Sequence, residues 1–312
     1  MLWRLRQSVK RVLHKRRRRA EIKATRPTVS TERIVEDIEA LPVDAGAVVL
    51  VHSSLKAIGF VDGGAEAVVE ALIGGIVDGK QGTVMLPTYS IEGGSMWETL
   101  LADRVFDVAT TASNLGAIPE AFRRHAQAVR SVHPTHSFSA VGPDANWLIE
   151  THHKCSSSFG PGSPMAKLAE KDGYLLGLGT NLGRVTFYHC LEEIEDDFPI
   201  DVYSSDSPIT VRCMGHAGES IEMTLLAHDT GVSKTRIDKA ENSDIREFYT
   251  KRFEEQAGMT WHQIGEARCW LIRARAMYDE CVHLMKRGIT IYSTRQDIEK
   301  FEATTSQPDA LR

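Results

Sequence analysis

The chain lacks most of the features that assign a protein quickly. No apolar run comes near the roughly 20 residues of a membrane-spanning helix. The five cysteines, at positions 155, 190, 213, 269 and 281, are odd in number and form no C-x-x-C pair. With no secretory leader ahead of them, they are expected as reduced thiols in a cytoplasm. There is no G-x-S-x-G elbow and no G-x-x-x-x-G-K-[ST] loop, which argues against an α/β-hydrolase and a P-loop NTPase. There is no H-E-x-x-H motif and no cysteine cluster. Pro134 breaks the helical spacing of His133 and His136, and His152-His153 stands alone, so no metal is expected.

Charge of one sign is gathered at one end. Residues 1–23 hold ten Lys/Arg and one acidic residue, Glu21. Of 37 basic and 42 acidic residues overall, this leaves 27 and 41 for the rest, a formal charge of −14. An acidic body disfavours nucleic acid and suits cationic small molecules. In the arm, Leu2, Leu5, Val9, Val12 and Leu13 recur at roughly helical intervals between basic residues, with Trp3 beside them. That pattern fits a helix lying on an anionic membrane through residues 2–19, and fits a disordered basic tail equally well. The expected organisation is an arm over 1–26, one folded domain over 27–290 and a polar, frayed tail over 291–312. The expected location is cytoplasmic, with the arm as a peripheral contact to the inner face of the membrane. No feature fixes an oligomeric state.

The most informative stretch is YLLGLGTNLGRVTFYHCLEEIEDD, Tyr174 to Asp197. Tyr174-Leu175-Leu176 suits a buried strand. Gly177, Gly179 and Gly183 mark a loop that can take positive φ, although the third glycine falls one position too late for G-x-G-x-x-G. From about Thr186 the apolar positions recur at helical spacing. The chain therefore runs strand, glycine loop, helix, and open α/β sheets bind ligands at such strand ends. His189 and Glu192 lie three apart, on one helix face. Histidine can accept a proton near neutral pH, yet a lone helical histidine serves structure as readily as catalysis.

Along the chain, Ser30 or Thr31 caps a helix over about 32–40. AVVLVHSSL reads as a buried parallel strand, followed by a helix at 65–77 and the strand TVMLPTYS. Ser113 or Asn114 caps a further helix, and SVHPTHSFSAVG is a strand signal carrying His133 and His136. Helices at 145–150 and in MAKLAE precede the central stretch. DVYSSDSPITVRCMG and ESIEMTLLAHD read as an antiparallel pair joined by Gly215–Gly218. Residues 244–257 and about 260–286 read as helices. This alternation predicts an α/β fold: a mostly parallel central sheet flanked by helices, an additional antiparallel strand pair, and C-terminal helices.

Seven co-linear segments, LVHSSLKAIGFVDGGAEAVVEAL, GTVMLPTYS, ASNLGAIPEAFRR, RSVHPTHSFSAVG, GSPMAKL, YLLGLGTNLGRVTFYHCLEE and IGEARCWLIRARA, resemble the aminoglycoside 3-N-acetyltransferases. The resemblance covers about residues 30–286. It implies transfer of an acetyl group from acetyl-coenzyme A to an amine of an aminoglycoside or related amino sugar. It places the family's general base on His189 and its glutamate on Glu192. It also implies that Ser53, Ser54, Ser113, Gly116 and His133 line the coenzyme site. The family's Glu-x-Asp falls on Ala227-His228-Asp229, so Asp229 survives as a catalytic carboxylate while the glutamate is absent. Glu92 and Asp107 are offered for the family's other acidic positions. The basic arm lies outside the family pattern. Two alternatives remain open: a sugar acceptor in surface-polysaccharide synthesis, and a membrane-surface adaptor without catalysis.

Overall fold

A computed structural model describes residues 25–102 and 104–305. The basic arm over 2–19 lies outside the described residues. The strands are β1 (Thr28–Val29), β2 (Val48–Ser53), β3 (Phe60–Val61), β4 (Thr83–Pro87), β5 (Phe106–Asp107), β6 (Val129–Arg130), β7 (Phe138–Val141), β8 (Tyr174–Leu178), β9 (Ile209–Met214), β10 (Ser220–Leu225), β11 (Thr260–Ile264) and β12 (Ala267–Arg273). The helices are α1 (Thr31–Glu39), α2 (Ala65–Leu72), α3 (Met96–Leu101), α4 (Ala117–Arg123), α5 (Ala145–Ile149), α6 (Pro164–Glu170), α7 (His189–Ile194), α8 (Ser243–Gln256), α9 (Ala274–Met285) and α10 (Arg295–Thr305).

Seven strands form the main sheet in the order β11-β12-β8-β2-β4-β7-β6. The fold is α/β as expected, but the sheet is mixed rather than mostly parallel. Only β8-β2 and β2-β4 pair parallel; β4-β7, β7-β6, β8-β12 and β12-β11 pair antiparallel. Parallel pairing needs a crossover of a dozen or more residues. The β6–β7 and β11–β12 connections are too short for one.

Alternation along the buried strands decides what lies on each face. Val49 and Val51 of β2 join Val84, Leu86, Leu176 and Leu178 against α1, α2 and α4. Val48 and Leu50 join Met85, Leu175, Trp270 and Ile272 against α5 to α10. Ser30 caps α1 by accepting from Arg33 N, and Ile34 and Ile38 are its buried residues, as the spacing predicts. The expected antiparallel pair is β9–β10, and it extends into a small sheet with β5 over its own core of Met96, Phe106, Cys213, Met223 and Leu225.

Three expectations are corrected. Residues 260–273 are a β-hairpin, not a helix: Gly265 takes φ +56° in the two-residue turn to Glu266, with Ile264 paired to Ala267. Only Ala274–Met285 continues as helix. His133 and His136 sit in the loop joining β6 to β7 rather than within a strand. Residues 291–305 are not a polar tail, because Ile291, Tyr292, Ile298 and Phe301 are buried in the larger core.

Candidate active site

The three parallel strands β8, β2 and β4 end on one side of the sheet. Their carboxyl-end loops, with segments 94–96, 158–159, 183–189 and 228–239, enclose a cleft of about 710 Å³. That is ample for a small-molecule site. A glycine and a tryptophan set the strand from which one of these loops leaves. Gly177 lies within β8 opposite Trp270 of β12, and a Cβ there would meet the indole at 2.0 Å. This glycine is needed for space and not for positive φ. Trp270 in turn donates Nε1–H to Thr180 O at 2.9 Å, fixing the loop after β8.

His189 opens α7 and lines the cleft. Its Nδ1 is 2.7 Å from Glu192 Oε2, one helical turn on. A carboxylate accepts, so Nδ1 carries the proton and Nε2 keeps its lone pair. Phe159 stacks on the imidazole at 5.4 Å and 22°, which fixes the ring plane. Glu192 is fully buried. Burial pushes its carboxyl up, but His189, His228 and Tyr292 outweigh that and hold it below its ordinary value. The dyad is thus an imidazole oriented through Nδ1 by an ionised acid.

A second pair adjoins it. His228 Nε2 lies 3.1 Å from Glu193 Oε1 and 3.9 Å from Glu192 Oε2. Its ring meets His189 edge-on at 5.1 Å. Burial works against protonation of His228, but the hydrogen bond to Glu193 and the charge of Glu192 carry its pKa above the ordinary histidine value. Glu193 Oε2 also accepts from Phe159 N at 2.5 Å. The loop that places Phe159 over His189 is therefore tied to the same helix.

The expected site residues divide sharply. Ser53 and Ser54 line the cleft with His189, and Glu192 stands directly behind it. Ser113 and Gly116 do not: Ser113 N donates to Glu120 Oε2, and Gly116, at φ +134°, starts α4. Their neighbours Leu115 and Pro119 reach the cleft instead. His133 is fully buried, stacked on His152 at 4.5 Å, and its Nδ1 accepts from His136 N at 3.0 Å. Asp229 does not line the cleft either; its Oδ1 accepts from Gly231 N and Val232 N and holds a turn. His228 stands where Asp229 was expected. Glu92 pairs with Arg104 away from the dyad, and Asp107 Oδ1 accepts from Ala109 N and Thr110 N. Phe159, His136, Tyr89 and Arg236 also line the cleft and were not among the expected site residues.

Polar atoms without partners show where a ligand fits. His52 Nε2, Ser53 Oγ and Thr180 Oγ1 are buried and unpaired, and all three residues line the cleft at the ends of β2 and β8. A buried unmatched hydroxyl or ring nitrogen is costly unless something completes it. Burial alone lowers His52 to about 4, so it is a neutral ring at pH 7. Neutral donors and acceptors of this kind suit the amides of a pantetheine chain, and these residues fit coenzyme A on that ground.

The sequence profile of the aminoglycoside 3-N-acetyltransferases matches residues 50–286. The chain is 36% identical over 195 residues to aminoglycoside N(3)-acetyltransferase VIII of Streptomyces fradiae, covering 59% of this chain and 67% of that one. It is 33% identical over 176 residues to the aminoglycoside N(3')-acetyltransferase-like protein YokD of Bacillus subtilis, covering 52% and 64%. The chain thus spans just under two thirds of that relative's length. Among solved structures it resembles aminoglycoside acetyltransferase AAC(3)-IIb at TM-score 0.66 and 27% identity, covering 83% of this chain and 97% of that one. It shares its fold with AAC-IIIb in a binary complex with CoASH, at TM-score 0.69, 24% identity, and coverage of 86% and 100%. The chain belongs to the aminoglycoside 3-N-acetyltransferase family.

Proposed function

We propose that this protein is an acetyl-coenzyme A-dependent N-acetyltransferase that uses His189 as general base and Glu192 to orient it. The observation that carries the reading is the 2.7 Å His189–Glu192 hydrogen bond beside a cleft that also holds unpaired neutral polar atoms. The coenzyme supplies an acetyl thioester, and His52, Ser53 and Thr180 would hold it. An amine at pH 7 is mostly protonated and cannot attack. The ammonium first gives one proton to solvent; His189 Nε2 then takes a second from the attacking nitrogen as the N–C bond forms, and returns it to the leaving sulfur as the C–S bond breaks. Such base catalysis typically contributes ~10²–10⁴-fold. Transfer is direct: Cys190 is buried, and burial together with Glu193 and Glu192 pushes its thiol well up, which leaves no thiolate to carry an acetyl group.

The acceptor we favour is an amino sugar less cationic than an aminoglycoside. Among the described residues, Arg184, Arg236 and Lys239 line the cleft against one lining carboxylate, Asp238. Asp238 is already engaged by Arg236 at 2.7 Å. Selecting a polycation needs several free carboxylates. We place the enzyme in the cytoplasm, where acetyl-coenzyme A is made. The decisive assay is thiol release from acetyl-coenzyme A against a panel of aminoglycosides and monoamino sugars. Turnover of a monoamino sugar with higher kcat/KM than gentamicin supports the reading. The reverse order returns the protein to drug modification, and no thiol release with either class ends the catalytic reading.

A further inference from the structure

The polar cluster around His189 has a second chemistry that proton transfer does not use. One ring nitrogen each of His189 and His228 and a carboxylate oxygen of Glu192 all lie within 4.8 Å of one another. Two imidazoles and one carboxylate form a donor set that holds zinc with a fourth position open. Donors bound to zinc at about 2.0–2.2 Å in tetrahedral array stand ~3.3–3.6 Å apart. The observed 2.7 Å from Glu192 Oε2 to His189 Nδ1 and 3.9 Å to His228 Nε2 bracket that spacing. The two imidazole nitrogens, within 4.8 Å of each other, would also have to draw in to that spacing.

Charge points the same way. Glu192 and Glu193 are adjacent carboxylates whose side chains are 0% and 1% exposed. Behind the cleft wall they face the two histidines, with Phe159 N on Glu193. Two buried negative charges are costly unless compensated, and a dication is a strong compensator. His228 Nε2 now bonds Glu193 Oε1 at 3.1 Å, so ligation through Nε2 would exchange that hydrogen bond for the metal and leave Glu193 beside it as a compensating carboxylate. His189 and His228 both line the cleft, so the site has an entry path and its open position faces the substrate.

We propose that His189, Glu192 and His228 form a Zn²⁺-class binding site and that its occupation switches acetyl transfer off. The inhibitory half rests on His189 being the base; the binding half does not. If Nδ1 of His189 ligates the metal, the ring proton moves to Nε2 and the cleft meets an N–H instead of a lone pair. If Nε2 ligates, the lone pair is consumed directly. The base is lost in both cases.

The test is calorimetric titration of the full-length protein with ZnCl₂ in a non-chelating buffer, alongside acetyl transfer at the same zinc concentrations. The expected result is one saturable site whose midpoint matches the midpoint of inhibition. His228→Ala should weaken binding at least about tenfold, and His228→Cys, which keeps a zinc ligand, should retain most of it. His262→Ala, on the exposed face of β11, should change neither readout. Circular dichroism of each variant separates loss of a ligand from loss of fold. Absence of a saturable site, or a site unaffected by His228→Ala in a folded variant, overturns the proposal while leaving the base assignment standing. Stoichiometric binding at this site with full acetyl transfer overturns the switch, and with it the role of His189.

Discussion

Two groups of histidines meet across one aromatic ring. On one side, His189 and His228 face Glu192 and Glu193. On the other, His133, His136 and His152 face hydroxyls and backbone: His152 bonds Ser131 Oγ at 2.9 Å and Ser158 O at 3.0 Å, and His136 Nδ1 bonds Thr135 and Ser158. Phe159 touches both, edge-on to His136 at 4.9 Å and stacked on His189 at 5.4 Å. Burial is comparable and the ring is the same, yet the electrostatics diverge. Burial drives His133 and His136 well below the ordinary value and His152 to about 3. The carboxylates lift His228 above it despite its own burial. The partner therefore decides the role, with one group locked neutral as structure and the other able to exchange a proton.

The largest effect should break the group that faces the carboxylates. His189→Ala is expected to lower kcat by ~10²–10⁴-fold with little change in coenzyme A affinity, measured by thiol release and by calorimetry. Full turnover in that variant would place both groups in the same structural class. Next comes Glu192→Gln, which keeps shape but can present N–H to Nδ1 and so favour the wrong tautomer. A fall in kcat of about tenfold or more is expected, again with coenzyme affinity preserved. Unchanged kcat would show that His189 needs no orienting acid. On the other side, His133→Gln and His136→Gln should act chiefly on thermal stability, for which burial without a charged partner is the reason.

Much of this division was legible before the structure. His189 and Glu192 lie at i and i+3, which places them on one face whatever the surroundings. The capped helix α1 and the buried strand β2 were equally plain, because local chemistry decides them. What was not legible depends on partners distant in sequence. In 260–273 the apolar residues satisfy a helical period, but Trp270 is placed by Gly177, 93 positions away by number, and a strand edge supplied by β8 overrides the period. The Ala227-His228-Asp229 triplet misled for a simpler reason. Extended backbone points alternate residues to opposite sides. Ala227 is buried in the small core, so its neighbour His228 takes the side that faces Glu193. His133 carries a family motif yet lies behind the cleft wall, and only the ring stacked on it at 4.5 Å shows that its place is structural.

The smallest effect is also the one that measures the contrast without any substrate. A histidine buried neutral binds fewer protons folded than unfolded, so its contribution to stability is present above the unfolded pKa near 6.5 and is lost as pH falls below it. For each such group the loss between pH 7 and pH 6 is about 0.7 kcal/mol by linkage. His133, His136 and His152 all carry this sign, as does His52. His228 carries the opposite sign: its raised folded pKa adds stability that is fully present below pH 6.5 and is lost as pH rises through the folded value. The wild-type protein should therefore lose stability on acidification, partly offset by His228. His152→Gln should unfold more easily at pH 7, because Ser131 and Ser158 lose a well-placed partner. Its stability should nevertheless fall less steeply between pH 7 and pH 6, by about 0.7 kcal/mol, in urea titrations at the two pH values. His228→Gln should do the reverse and steepen the fall. Equal slopes in all three proteins would mean that the two groups titrate alike, and the carboxylates would then not be what sets His189 and His228 apart.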